Sequence, residues 1–189
     1  VNIVITALLT LGGLGFVVIA DLVDKRSFRG FSLHSKLMLT GTVVLNVFAM
    51  LLLLALEYRN PQTLAALSDL GERLWAAWFM AVTPRTAGFN TIDIAGLTEA
   101  STVFVMLLMF IGGGAGSTAG GVKLTTFIVL LLTVRAYLLG QERPVVFGRS
   151  LDYGTITGTL ATCLISLSAL LLATFALTVT ESAPFLDLA

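Results

Sequence analysis

Residues 112–121 read GGGAGSTAGG, and six of these ten residues are glycine. Apolar runs flank the stretch on both sides, STVFVMLLMFI before it and VKLTTFIVLLLTV after it. Glycine disfavours a helix by about 1 kcal/mol per residue relative to alanine. As one straight helix, residues 97–139 would be roughly 60 Å long, about twice the ~30 Å hydrocarbon core of a bilayer. This apolar segment is therefore expected to break at the glycines, to tilt strongly or to extend beyond a membrane.

The composition indicates an integral membrane protein. Of the 189 residues, 57% are hydrophobic and 12% are charged, with a mean hydropathy of +0.97, whereas about 25% of the residues in soluble domains are charged. The 11 basic residues balance the 11 acidic ones, which argues against a nucleic-acid-binding surface. The single cysteine, Cys163, lies in an apolar run and is expected to pack there, since one thiol supports neither a disulfide framework nor a metal cluster.

Four segments are apolar over about the 20 residues that a membrane-spanning helix needs: 2–22, 37–56, 97–139 and 153–179. Residues 63–83 differ, because they carry Asp69, Glu72 and Arg73 and because their apolar part, LWAAWFMAV, is only nine residues long. The segment PRTAGFNT, residues 84–91, follows and does not have a helical pattern. A short helix and a non-helical return between two spans indicate a re-entrant hairpin.

The return at residues 86–90 has two interpretations. Backbone at membrane depth is tolerated only where protein or a watery path satisfies it, and carbonyls on such a path can replace the hydration shell of a monovalent cation. Gly88 would let carbonyls point inward, and the preceding helix would aim the negative end of its dipole at the cation. The alternative is an external loop after an interfacial helix, which Trp75 and Trp78 would anchor.

Basic residues near the ends of the spans predict the orientation. The connectors 24–36 and 135–149 are basic and are expected in the cytoplasm, with residues 58–71 outside. The chain order is then an outward span, an external loop, a short inward helix, an irregular return and an inward span, which is the M1–pore loop–M2 plan of a cation channel. The basic residues of the two connectors are Lys25, Arg26, Arg29, Lys36, Arg135, Arg143 and Arg149.

We therefore predict an all-α polytopic membrane protein, potassium-channel-like, with a re-entrant pore helix and a broken M2 helix. Residues 33–140 form one complete M1–pore loop–M2 domain. Residues 1–24 are the M2 helix of a preceding domain, and residues 150–189 are the M1 helix of a following, truncated one. Because two of the three domains are incomplete, we expect the chain to be part of a longer one.

Three interpretations of the glycine-rich stretch compete. Its glycines could pack helices closely, since Gly112, Gly116 and Gly120 match the small-xxx-small spacing, or they could form an unwound loop that reaches into a pore. A phosphate-binding loop is excluded, because Val122 precedes Lys123 and the required Gly-Lys-Ser/Thr is absent. Small residues on every face over almost three turns favour unwinding. Lys123 either faces water or a partner or extends its side chain to the cytoplasmic interface.

Paired segments of this chain resemble a known family. RTAGFNT at 85–91 and MFIGGGAGSTAGGVKLTTF at 109–127 closely resemble the third pore domain of the Trk/Ktr/HKT superfamily of potassium transporters, most of all the ion-conducting membrane subunit of the bacterial Ktr branch. LGGLGFVVIADL at 11–22 is similar to the end of that family's second domain, and LHSKLMLT at 33–40 to the start of its third. The resemblance covers nearly the whole chain.

The resemblance implies four M1–pore loop–M2 repeats around one pore, of which this chain holds one filter segment. Potassium would be the transported ion, with sodium a candidate activator and no covalent cofactor. The ion would pass the backbone carbonyls of Thr86, Ala87, Gly88 and Phe89, in a filter that extends to Asn90. Arg85 receives no coordinating role, since a cation does not ligate a cation. A loop within M2 would gate the flow, and its expected residues are Gly112, Gly113, Gly114, Ala115, Gly116, Ser117, Thr118, Ala119, Gly120, Gly121 and Lys123.

The expected function is potassium translocation across the cell inner (plasma) membrane, without enzymatic chemistry. The resemblance implies a homodimer of the full-length subunit that contacts membrane lipid and a cytosolic nucleotide-binding regulatory ring, and no nucleic-acid partner. Two alternatives stay open. One is a helical scaffold or assembly subunit whose glycines only pack helices, and the other is a sodium-coupled secondary carrier with broken helices.

Overall fold

The computed structural model describes residues 2–25, 27–85, 88–117, 119–141 and 143–180, and these residues are mostly helical. The chain divides into two compact units, Val1–Leu124 and Thr125–Ala189. The first unit contains helices α1 (Asn2–Leu14), α2 (Phe16–Lys25), α3 (Leu33–Glu57), α4 (Leu70–Val82) and α5 (Glu99–Phe110), with 3₁₀ turns at Phe28–Gly30, Leu64–Ala66 and Ile94–Gly96. Helix α6 (Leu124–Leu138) begins at the boundary, and the second unit continues with strands β1 (Val145–Val146) and β2 (Arg149–Ser150) and helix α7 (Tyr153–Thr180).

The helix lengths agree with a membrane protein. Among the described residues, α3 with 25 residues and α7 with 28 are each long and apolar enough to cross a bilayer. Residues 2–22, expected as one span, are two helices instead, which meet at an angle of 95°. The break predicted in residues 97–139 is confirmed, because α5 ends at Phe110 and α6 begins at Leu124. Strands β1 and β2 pair in antiparallel register and are the one departure from an all-α fold in the described parts of the chain.

Helix α4 is the short helix that the sequence predicted after the span at 37–56. The carboxylate of Asp69 caps its first turn by accepting a 3.3 Å hydrogen bond from the backbone N–H of Glu72. Its 13 residues extend about 20 Å, less than a bilayer core. Its apolar face packs between α3 and α5 in a buried cluster made of Ala49, Leu53, Met80, Ala81 and Leu108. That this helix enters a membrane and that the chain returns to the same side stay predictions.

The end of α3 is joined to the start of α5 through Glu57. The Glu57 side chain is completely buried. Its carboxylate accepts hydrogen bonds of 3.0 Å from the backbone N–H and 2.7 Å from the hydroxyl of Thr98, the residue that caps α5. This tie fixes α3 and α5 to each other, and α4 packs between these two helices.

Helix α7 begins after Asp152, whose carboxylate accepts a 2.6 Å hydrogen bond from the Thr155 hydroxyl and a 3.0 Å bond from the Thr155 N–H. Hydrogen bonds to a carboxylate favour its charged form. They therefore hold the pKa of Asp152 below its usual range, the hydroxyl bond most of all. The negative charge next to the first turn also suits the helix dipole.

Candidate ion pathway

The return segment after α4 carries the residues predicted to form an ion filter. Thr86 and Ala87 lie outside the described residues. Gly88 has a φ of +71°, and a Cβ added there would meet nothing within 4 Å. Its backbone conformation, and not a lack of space, is therefore what favours glycine at this position. Gly88, Phe89 and Asn90 are all exposed in the unit.

The Phe89 carbonyl, predicted as an ion ligand, has a partner within the same segment. It accepts a hydrogen bond from the hydroxyl of Thr83, which lies just after the end of α4. A carbonyl oxygen has two lone pairs, so one is left for a cation. The bond holds the Phe89 carbonyl beside the end of α4.

Arg85 anchors the start of this segment to α3. Its guanidinium donates a hydrogen bond to the side-chain oxygen of Asn46, which is 3% exposed. The two residues are 39 positions apart in the chain, so this contact could not be predicted from the sequence alone. This contact ties the backbone at Arg85 to α3, and the absence of a coordinating role for Arg85 stays a prediction.

The glycine-rich stretch forms a loop whose two ends are tied together. The Val122 N–H donates a 2.9 Å hydrogen bond to the Phe110 carbonyl, and the Gly112 N–H donates a 2.8 Å bond to the Val122 carbonyl. A third bond of 3.0 Å joins the Leu124 N–H to the Gly113 carbonyl. The chain therefore leaves at the end of α5 and comes back to the same place before α6 begins, which is the arrangement of an Ω-loop.

Lys123 binds the loop that it follows. Its ammonium group donates a 2.7 Å hydrogen bond to the carbonyl of Ala119, and the side chain is partly buried. The sequence left open whether Lys123 faces water or a partner, or reaches the cytoplasmic interface. In the structure, its partner is the backbone of the predicted gate. Thr118, another predicted loop residue, lies outside the described residues.

The first half of the loop packs backbone to backbone on the bend between α1 and α2. The Gly114 N–H donates a 2.7 Å hydrogen bond to the Gly13 carbonyl. A Cβ on Gly114 would overlap the Leu14 carbonyl, and a Cβ on Gly15 would overlap the Ala115 carbonyl. Gly15 also has a φ of +85°. The two segments are about 100 residues apart in the chain and touch through their backbones. This contact requires glycine at both Gly15 and Gly114.

Replacing Gly15 with alanine is expected to displace the loop from this bend. The new methyl group would overlap the Ala115 carbonyl, and a left-handed conformation costs an L-residue about 1–2 kcal/mol. We expect a clear fall in the thermal unfolding midpoint of the full-length protein in detergent. Gly13→Ala is the matched control, because Gly13 is helical and a Cβ there meets nothing within 4 Å. Equal midpoints for the two variants would contradict the contact.

The return segment and the loop meet at one small cavity. It has a volume of about 20 Å³, and its walls include Thr10 of α1, Thr42 of α3, Arg85 of the return segment and Gly113 of the loop. The two predicted functional segments are therefore neighbours within the first unit, although residues of α5 separate them in sequence. No feature of the sequence indicated this cavity.

Comparisons with known proteins place the chain in a sequence family. A family model described as "TrkH: Cation transport protein" matches residues 1–187. The chain is 54% identical over 188 residues to the Ktr system potassium uptake protein B of Bacillus subtilis (strain 168), covering 100% of this chain and 42% of that protein. It is 39% identical over 181 residues to the potassium/sodium uptake protein NtpJ of Enterococcus hirae, covering 96% of this chain and 40% of that protein.

A solved structure shares the fold. The potassium transporter TrkH from Vibrio parahaemolyticus matches with a TM-score of 0.76 at 19% sequence identity, covering 95% of this chain and 39% of that one. At that identity the match shows the fold alone. The chain spans about two-fifths of the length of each of these three proteins.

Proposed function

Because this chain belongs to the TrkH family of cation transport proteins, we propose that it forms part of a potassium pathway through a membrane. Membership confirms the assignment to the Trk/Ktr/HKT superfamily that the sequence resemblance predicted. The family is one of transporters and not of enzymes. The potassium uptake proteins it resembles are more than twice as long as this chain, so the activity proposed here is that of a full-length protein that contains it.

One observation carries the proposal. A short helix, a glycine-containing return and a tied loop inside a broken helix occur in one unit, and the return and the loop line the same cavity. The loop therefore lies next to the return, close enough for its movement to act on a path that the return lines. A selective constriction with a movable obstruction beside it is what a selective and controllable pathway requires.

In the proposed filter, carbonyls of Thr86, Ala87, Gly88 and Phe89 replace water around a dehydrated potassium ion. Gly88 supports this role, because its positive φ turns the backbone where an ordinary residue would resist. The exposure of residues 88–90 within the unit also supports it, since ligating carbonyls must face a path and not a core. The hydrogen bonds of Arg85 to α3 and of Thr83 to Phe89 keep the segment in place.

In the proposed gate, the loop at residues 112–121 blocks or opens the path. Its ends are fixed to each other by hydrogen bonds, and in the described part of the loop the bond from Gly114 to Gly13 and close backbone contact hold it on the α1–α2 bend. Because the ends are joined to each other, the loop could leave this bend while its two ends stay together. Lys123 would limit that movement through its bond to Ala119.

The full-length subunit is further proposed to dimerise, to contact membrane lipid and to sit on a cytosolic nucleotide-binding regulatory ring. It would lie in the inner (plasma) membrane with the connectors 24–36 and 135–149 in the cytoplasm. The name of the Enterococcus hirae relative, a potassium/sodium uptake protein, supports sodium as an activator or co-transported ion. Uptake of potassium measured with and without a sodium gradient separates the carrier from the channel.

Gly88→Ser in the full-length protein tests the filter. A serine would resist the φ of +71° and would turn the neighbouring carbonyls away from the path. We expect the ratio of potassium to sodium permeation to fall by about tenfold, which corresponds to 1.4 kcal/mol. Ion flux into proteoliposomes that contain the purified protein measures this ratio.

Gly140→Ser is the matched control for this experiment. Gly140 has a φ of +67°, and a Cβ there also meets nothing within 4 Å, but it lies in the turn after α6 and outside the proposed pathway. It therefore carries the same backbone strain without the same function. An unchanged permeation ratio for Gly88→Ser, in a protein that folds as well as the control, would refute the filter assignment.

A further inference from the structure

The hydroxyl of Thr42 is buried without a hydrogen-bond partner among the described residues. Thr42 lies in the middle of α3 and is 5% exposed. Several other threonines in the helices donate to a carbonyl four residues earlier, as Thr10 does to Thr6 at 2.8 Å and Thr40 does to Lys36 at 2.7 Å, whereas the buried Thr6 hydroxyl, like that of Thr42, has no partner among the described residues. A buried hydroxyl with no partner is unfavourable, so the position of Thr42 calls for an acceptor or donor that is not a protein atom.

The cavity beside Thr42 has the size and the chemistry for such a group. Its volume of about 20 Å³ exceeds the 10–15 Å³ or so that one water molecule needs on this measure. Arg85 also lines it, and its guanidinium carries five N–H donors, of which Asn46 takes one. Thr10 adds a hydroxyl oxygen that can accept. The cavity is thus mostly apolar, with the polar side chains of Thr10, Thr42 and Arg85 among its lining, and it has room for one small molecule.

We propose that one internal water molecule occupies this cavity and bridges Thr42 to Arg85. Its oxygen accepts a hydrogen bond from the guanidinium, and its protons reach the hydroxyl oxygens of Thr42 and Thr10. Three bonds are the usual number for a buried water. A cation is excluded by the charge of Arg85, which stays protonated in proteins, and the volume excludes anything much larger than water.

The water would couple the proposed filter to the proposed gate, and this step rests on the proposed function. Arg85 directly precedes the proposed filter residues, Gly113 belongs to the proposed gating loop, and both line the cavity. A movement of the loop at Gly113 would change the cavity and therefore the bridge to Arg85. Thr42 is in this sense a positioning residue, since it acts on the filter through the water and Arg85.

A high-resolution density map of the full-length protein tests the water directly. The expected result is a solvent peak about 2.6–3.2 Å from both the Thr42 hydroxyl oxygen and a guanidinium nitrogen of Arg85. An empty cavity, in a map that shows ordered water elsewhere at the same depth, would overturn the proposal. So would an anomalous peak in this cavity for crystals grown in bromide, because the site would then take an anion.

Thr42→Val, which removes the hydroxyl at nearly constant volume, tests the coupling. We expect a loss of about threefold to tenfold in the ratio of potassium to sodium permeation, the range for one hydrogen bond, with a nearly unchanged thermal midpoint. Thr42→Ser keeps a hydroxyl and should restore the ratio. Thr40→Val is the control on the same helix, because that hydroxyl bonds only within α3, and it should leave the ratio unchanged.

The two proposals fail in different ways. If serine at position 42 behaves like valine, or if Thr42→Val keeps the parental permeation ratio, the coupling is wrong whatever the filter does. If Gly88→Ser leaves selectivity unchanged while the solvent peak is present, the filter assignment fails and the water site stands. If Gly88→Ser abolishes selectivity while the cavity is empty, the filter stands and the water site is wrong.

Discussion

Replacing Glu57 with alanine is expected to lower the stability of the first unit by about 3 kcal/mol or more, since each buried donor left without an acceptor costs about 1–3 kcal/mol. Glu57 is completely buried at the end of α3. Besides its two bonds from Thr98, its carboxylate accepts 2.6 Å hydrogen bonds from the Thr63 hydroxyl and the Asn60 amide. Alanine would leave these donors unpaired and would also open a cavity.

The buried charge of Glu57 has a compensating partner, although no cation touches its carboxylate among the described residues. Thr98 is the N-cap of α5, so the carboxylate lies at the positive end of that helix dipole. The Asn60 amide extends the network by donating a 2.7 Å bond to the Gly96 carbonyl. One side chain therefore holds the end of α3, the connector after it and the start of α5.

Two further variants separate charge from shape and from position. Glu57→Gln keeps the size but presents an amide NH₂ to at least one pair of donors, so we expect a loss of stability between those of the parent and of alanine. Glu99→Gln changes an exposed glutamate in the first turn of α5 and should have little effect. Thermal unfolding of the full-length protein in detergent measures all three. A midpoint for Glu57→Ala equal to that of Glu99→Gln would show that the network does not stabilise the fold.

The order of the elements could be predicted because it depends on local properties of the sequence. Hydrophobic length predicted a span at 37–56, and α3 is Leu33–Glu57. The same argument predicted α7. The low helix propensity of glycine predicted a break at 112–121, and the described residues there, 111–117 and 119–123, are not helical. Each of these inferences needs only the residues of the element itself.

The contacts between elements could not be predicted, because they join residues far apart in the chain. Glu57 lies at the end of α3, and no neighbouring residue in the sequence indicates that Thr98 would be its partner. Gly15 and Ala115 are adjacent only after folding. A single sequence contains no signal for such pairs, since any polar or small residue elsewhere could have been the partner.

The two interpretations of the glycine-rich stretch also turned out not to exclude each other. The sequence opposed close packing to unwinding, and the structure has both. Residues 111–117 and 119–123 are not helical, and the backbone at Gly113 and Gly114 packs against Gly13 and Leu14 so closely that a Cβ would not fit. Small residues on every face are therefore needed for a loop that is unwound and docked at the same time.

Deleting residues 113–119 is expected to produce the largest functional change, an increase in potassium flux. The geometry permits this deletion. The backbones of Gly112 and Gly120 are in contact, because a Cβ on Gly112 would overlap the Gly120 carbonyl. The shortened chain can therefore pass directly from one to the other, while the bonds of Val122 to Phe110 and Gly112 still tie α5 to α6.

The deletion removes the loop's contact with the α1–α2 bend and the carbonyl that Lys123 binds. If the loop obstructs the path, flux should rise by about tenfold or more, which corresponds to a barrier lower by about 1.4 kcal/mol. Potassium flux into proteoliposomes measures the rate. The proposed filter residues are intact, but the deletion also removes Gly113 from the wall of the cavity beside Arg85, so the ratio of potassium to sodium permeation should fall by no more than it does in Thr42→Val.

Adding Gly88→Ser to the deletion establishes which path the extra ions take. If they pass the proposed filter, the double variant should keep the high flux and lose the preference for potassium. A high flux whose selectivity does not respond to Gly88→Ser would mean that the deletion opened a leak elsewhere. An unchanged flux in a deletion variant with a cooperative unfolding transition would rule out the gate, and the glycines would then serve only to pack the loop on the α1–α2 bend.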